Sequence, residues 1–217
     1  MSVKTLERKV RFTMKQDREY RSMELRVLPN LDVLQSTSGP SYMVEGYAST
    51  FEPYKLLTID NVDYFERIEP NAFENADLTD VVFRVDHEGR VYARTSAGTV
   101  QLWTDDHGLG QRTDLSKTQA ARDLFADIEA GNYPKMSFAF TVAEDHFDHA
   151  TNTRVIDRIA KVFDVSPVSF PANPTTELSV STRDYFNGVI EAEKAERLER
   201  EKRERQKQRI KILMEVS

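Results

Sequence analysis

Four histidines and one serine sit in surroundings that suggest chemistry. The densest cluster is Asp145-His146-Phe147-Asp148-His149, two imidazoles and two carboxylates within five residues, a donor set that zinc accepts. The small polar residues Ala150-Thr151-Asn152 that follow have the composition of a hairpin tip, so the segment reads first as an exposed turn and second as a metal-dependent hydrolase site built on His146 and His149. His107 lies in Asp105-Asp106-His107-Gly108-Leu109, another turn signature. His87 follows the apolar run Val81-Val82-Phe83-Arg84-Val85 and precedes Glu88-Gly89, which puts it at a strand end. From there it reads either as a catalytic base or as an ordinary surface histidine. A serine hydroxyl is a poor attacker at its normal pKa and needs a base and oxyanion donors. No Gly-x-Ser-x-Gly elbow occurs. Instead, the turn Gly131-Asn132-Tyr133-Pro134 feeds Met136-Ser137-Phe138-Ala139-Phe140, in which Ser137 faces away from Met136 and Phe138. Such a serine is a nucleophile or simply the solvated face of a strand. The chain has no cysteine, which excludes disulfides, thiolate metal sites and a cysteine nucleophile.

The elements that must carry these residues are mostly short strands. Residues 43–50, 81–85, 91–94, 100–103, 136–142, 154–163 and 168–170 are β candidates, separated by Gly, Asp, Asn and Pro; this spacing predicts a barrel or sandwich. Residues 118–130 break the pattern, because Ala121, Leu124, Phe125 and Ile128 recur at helical spacing with Gly131 beyond them as a stop. A shorter helical turn is predicted at 70–76. Residues 191–209 are almost entirely Glu, Lys, Arg, Gln and Ala, with Leu198 the one large apolar residue. That composition predicts a polar helix held by opposite-charge pairs, with no seam for a coiled coil. The expected organisation is a mobile N-terminal arm over residues 1–24, a folded domain over 25–183 and a charged helical tail or linker over 184–217.

Its size suits one domain with tails. With 30 Lys+Arg against 36 Asp+Glu, a net charge of -6 argues against a nucleic-acid partner. No apolar run reaches the ~20 residues of a membrane span, and the first 24 residues alternate charges, so no membrane partner and no export are expected.

Taken together, the segments resemble one family. Gly46-Tyr47-Ala48, Glu66-Arg67-Ile68-Glu69-Pro70-Asn71-Ala72-Phe73, His87, Arg94-Thr95-Ser96-Ala97-Gly98-Thr99 with Leu102, Asp106-His107-Gly108-Leu109, Met136-Ser137-Phe138-Ala139-Phe140 and Asp164-Val165-Ser166-Pro167-Val168-Ser169-Phe170-Pro171-Ala172-Asn173-Pro174 follow one another as in the caudovirus prohead serine proteases. The resemblance runs from roughly residue 43 to 175. It implies a fold similar to the herpesvirus assembly proteases, mainly β with helices (α+β): a compact β-barrel with flanking helices, plus the charged C-terminal helix. It also implies Ser137 as nucleophile and His87 as base, with Asp164 as third member at a position where Glu is usual in the family. Backbone amides within 154–161 or near Gly131 are candidate oxyanion donors. The implied biology is a cofactor-free endopeptidase inside the immature phage capsid in the host cytoplasm. Its substrates would be the major capsid protein, scaffold segments and the chain itself, and a homo-oligomer is conceivable. The alternative is a catalytically silent scaffold or assembly chaperone with the same fold.

Overall fold

The period-two run around Ser137 becomes part of one of the two long strands on which the molecule is built. The computed structural model describes residues 18–24, 42–169 and 180–215. Its strands are β1 (Glu19–Glu24), β2 (Met43–Thr50), β3 (Tyr54–Ile59), β4 (Val62–Ile68), β5 (Val82–Val85), β6 (Glu88–Arg94), β7 (Val100–Thr104), β8 (Gly108–Asp114), β9 (Lys135–Asp148) and β10 (Thr153–Val168). The helices are α1 (Gln119–Glu129) and α2 (Val180–Glu215).

The hairpin of β9 and β10 is the spine. β1 lies antiparallel on the outer edge of β9. On its other side β10 runs parallel to β4 at residues 153–156 and then parallel to β5 at residues 164–165, with β3 added to β4 and β6 to β5. A second, three-stranded sheet has the order β2-β8-β7. The molecule is thus mainly β, with mixed sheets. The expected barrel is corrected: closure needs one cyclic strand order, whereas β10 changes partner along its length. The strands therefore branch, and among the described residues no ladder joins the two sheets.

Met136, Phe138 and Phe140 point from β9 into a core shared with Ile156, Ile159, Val162 and Val165. Ala121, Leu124 and Ile128 of α1 close over it at the spacing read from the sequence. The helix starts where Thr118 accepts a hydrogen bond from Ala121 N at 3.1 Å, and it stops at Gly131, whose φ of 83° suits glycine. Thr118→Ala should therefore lower stability by about 1 kcal/mol, read as a shifted urea midpoint with an unchanged slope.

Several local expectations are corrected. Residues 70–76 form no helix: Ala72, Glu74 and Ala76 donate to Glu69, Asn71 and Phe73, alternate residues only, and Ala72 O is taken by Ile159 N of β10. The two strands expected at 154–163 and 168–170 are one, β10, ending at Val168; Phe170 lies outside the described residues. Asp145 to Asp148 belong to β9, and the turn falls at 149–152, with Asn152 at φ 51°.

Of the arm drawn over residues 1–24, residues 1–17 lie outside the described residues and 19–24 form β1. By contact density the chain divides into Met1–Ser179 and Val180–Ser217. In the second unit, α2 buries Thr182, Tyr185, Phe186 and Val189 near its start. From Glu191 onward it is mostly exposed, with pairs such as Lys202–Glu199, Arg205–Glu201 and Lys207–Glu204 along its surface.

Candidate active site

Three strands bring the candidate residues together. Ser137 stands on β9 directly across from Ser166 of β10, and Ala139 stands across from Asp164, so Ser137 and Asp164 share the face opposite the core phenylalanines. β5 pairs with β10 at Asp164, through Val82, and ends at Val85, immediately before the tip of its hairpin with β6. That tip is Asp86-His87, both at positive φ (46° and 60°), as a two-residue type I′ turn between Val85 and Glu88 requires. Left-handed backbone at a histidine is uncommon and is tolerated where neighbours fix it. Asp86 supplies that fixing: its N–H donates to Pro167 O at 3.1 Å and its carboxylate accepts from Ser169 N at 2.9 Å, which pins the tip to the end of β10.

The result is a continuous chain of hydrogen bonds. His87 Nδ1 is 2.6 Å from Asp164 Oδ1, and His87 Nε2 is 2.7 Å from Ser137 Oγ. A carboxylate only accepts, so the Nδ1 side carries the proton and Nε2 is left to accept from the serine. Ser166 Oγ also donates to Asp164 Oδ1, at 2.6 Å, and so holds the carboxylate from a second direction. Ser166 and Asp86 were not singled out from the sequence. They are ordinary polar residues there, and only strand register and the turn give them a role.

The other candidates lie elsewhere. His107 packs edge-on against Tyr47, with ring centroids 4.4 Å apart. His146 Nδ1 pairs with Asp157 Oδ2 at 2.7 Å across the hairpin. Among the described residues no group of three or more His, Asp or Glu is placed to hold a metal ion. Of the expected oxyanion donors, Gly131 N is engaged by Ile128 O and Ile159 N by Ala72 O.

β1 covers the site. Ser22 pairs with Ser137, Tyr20 meets the His87 ring edge-on at 4.6 Å between centroids, and Arg21 O lies 2.9 Å from Ser137 Oγ, where it competes with His87 Nε2 for the single hydroxyl proton. With β1 in place Ser137 is 0% exposed. Behind β1 lies a buried charged cluster in which Arg21 and Arg154 face Glu19, Glu66 and Asp145, and Tyr54 donates to Glu66. Burial pulls the Arg21 guanidinium down, but the carboxylates around it, Glu66 foremost, outweigh this and hold it above its usual value.

Comparison with known proteins gives a sequence-level match to a family and likenesses among solved structures. A search of curated proteins finds no match. Among solved structures, the capsid assembly protease gp21 of bacteriophage T4 is similar, with 13% identity and a TM-score of 0.45, covering 71% of this chain and 98% of that one. The sequence model of the caudovirus prohead serine proteases matches residues 30–189, a span that contains the histidine turn, the Ser137 strand and Asp164. On that match the chain belongs to the caudovirus prohead serine protease family and is a protease.

Proposed function

We propose that the chain is a serine endopeptidase of phage capsid maturation, working through an acyl-enzyme with Ser137 as nucleophile, His87 as base and Asp164 as the group that orients the base. The observation that carries this reading is the unbroken line from Asp164 through both ring nitrogens of His87 to Ser137 Oγ, at 2.6 and 2.7 Å. As Oγ attacks the scissile carbonyl carbon, His87 Nε2 takes the hydroxyl proton. It then returns that proton to the amine nitrogen as the C–N bond breaks. Water, deprotonated by the same nitrogen, releases the acyl group from Ser137. Asp164 keeps Nδ1 as the donor and offsets the charge of the imidazolium.

Family membership supports capsid proteins and their scaffold segments as substrates, the chain itself among them, and the interior of the immature capsid as the place of action. A silent scaffold of the same fold is the rival, favoured by one observation: Ser137 is fully buried beneath β1. An activated-serine probe separates the two. In a chain with β1 loosened by Arg21→Gln, the probe should label Ser137, and His87→Ala in the same background should abolish the labelling. No labelling at Ser137, or labelling indifferent to His87→Ala, would sink the acyl-transfer reading.

A further inference from the structure

A peptide cut by Ser137 must lie along the outer edge of β9, and β1 already lies there, paired residue by residue from Glu19 opposite Phe140 to Glu24 opposite Lys135. We propose that the groove filled by β1 is the substrate groove, an inference that rests on the acyl-transfer reading above, and that the buried charged pocket at its floor selects an extended peptide with an acidic residue two positions before a basic one.

The main-chain ladder to β9 accepts any sequence, because edge-strand pairing engages only backbone groups. Selection must come from side chains. Strand alternation sends Tyr20 toward His87 and sends Glu19 and Arg21 the other way, into the pocket. There Arg21 grips Glu66 with two nitrogens, Nε to Oε1 at 2.5 Å and Nη2 to Oε2 at 2.8 Å. Glu19 grips Arg154 with both oxygens, at 2.7 and 3.0 Å. The receiving half is assembled without any help from β1: Arg154 is held by Asp145 at 2.6 Å and by Glu66 at 3.0 Å, and Tyr54 donates to Glu66. With β1 withdrawn, Glu66 lacks its forked cation and Arg154 its forked anion. A peptide with the charges reversed would set like against like in a site shielded from water, and a neutral one would leave both groups short of a partner.

β1 occupies this groove in a resting register. Ser137 Oγ meets the Arg21 carbonyl at its oxygen as a hydrogen-bond donor. The hydroxyl has one proton, so a bond given to Arg21 O is one withheld from His87. The spacing Glu-x-Arg recurs in the sequence at Glu24-Leu25-Arg26, Glu88-Gly89-Arg90 and Glu201-Lys202-Arg203; the second is held in β6 and the third in α2, which leaves the first as a further sequence of the same chemistry.

The test uses the full chain carrying Ser137→Ala, with a site-specific cleavage sequence inserted between Ser36 and Thr37 and cut only after folding, so that β1 becomes exchangeable in an intact domain. A fluorescent peptide of sequence Arg-Glu-Tyr-Arg-Ser-Met-Glu should exchange into the cut chain, read by anisotropy. The same peptide with its second and fourth residues interchanged should bind at least about ten-fold more weakly, and Glu66→Gln in the cut chain should shrink that ratio. Equal affinities for the two peptides, or no exchange of the native one into a chain whose near-ultraviolet dichroism is unchanged, would overturn the proposal. Binding is read with the nucleophile removed, so its failure stays separate from a failure to cut, which is measured with Ser137 restored.

Discussion

Ser137→Ala should lower peptide-bond hydrolysis by a factor on the order of 10⁶, with the fold intact. The substitution removes one oxygen from a fully buried position, and the hydrogen bonds it deletes run to His87 and to Arg21 O, neither of which belongs to the core. Nucleophile and base act as a unit, so His87→Ala should be about as damaging, and the double variant hardly worse than either single one. Asp164→Asn should be milder, a loss of about 10⁴ in kcat, because an amide cannot enforce the Nδ1–H tautomer. The measurement is turnover of a peptide substrate by each purified variant, with melting curves as the control for folding. A Ser137→Ala protein that retains activity within about ten-fold of the parent would end the case for serine chemistry.

What the sequence makes legible here follows the range of the interactions. Ser137 stands out because a Gly/Pro turn and a period-two run are local signals. His87 stands out as a polar residue closing an apolar strand, although the left-handed turn that aims it was not read from Asp86-His87. Asp164 emerges only through the family resemblance, since nothing near it in the chain distinguishes it from a strand-face carboxylate. β3 and β4 went unrecognised even though Asp60-Asn61, at φ 51° and 63°, is a turn signal between them. β1 was the least legible element. Glu-Tyr-Arg-Ser-Met-Glu has the composition of a solvated arm, and its charges are buried only because partners 45 and 135 residues away complete them. The barrel expectation failed for the same reason: a strand that changes partners midway leaves no mark on periodicity.

Arg154→Ala should destabilise the first unit by about 3–5 kcal/mol at neutral pH, the range seen when a buried charge loses its partner. Arg154 is the largest fully buried side chain and touches Glu19, Glu66 and Asp145 at once. Three carboxylates already outnumber two guanidinium groups there, and burial, first among the causes, pushes the Asp145 carboxyl above its usual value while Arg154 pulls it back. Deleting Arg154 leaves three acids against Arg21 alone and removes the cation that pulls Asp145 back, which should push the Asp145 carboxyl further above its usual value. An acid whose pKa is higher folded than unfolded binds protons preferentially in the folded state, so stability rises as pH falls. The loss should therefore be greatest near pH 7 and shrink toward pH 5. Arg154→Met, which keeps most of the volume, separates charge from cavity and should recover only a minor part of the loss. By contrast, Asp80→Ala, which breaks the exposed pair with Arg94, should leave the urea midpoint almost unchanged. Urea denaturation of the three variants at both pH values tests the argument. The loosening should begin at β1, whose Glu19 depends on Arg154 directly, so its amides should lose protection from hydrogen exchange before those of β10. A pH-independent loss of the same size in Arg154→Ala and Arg154→Met would mean that the cluster packs β1 down by shape and that its charges contribute little.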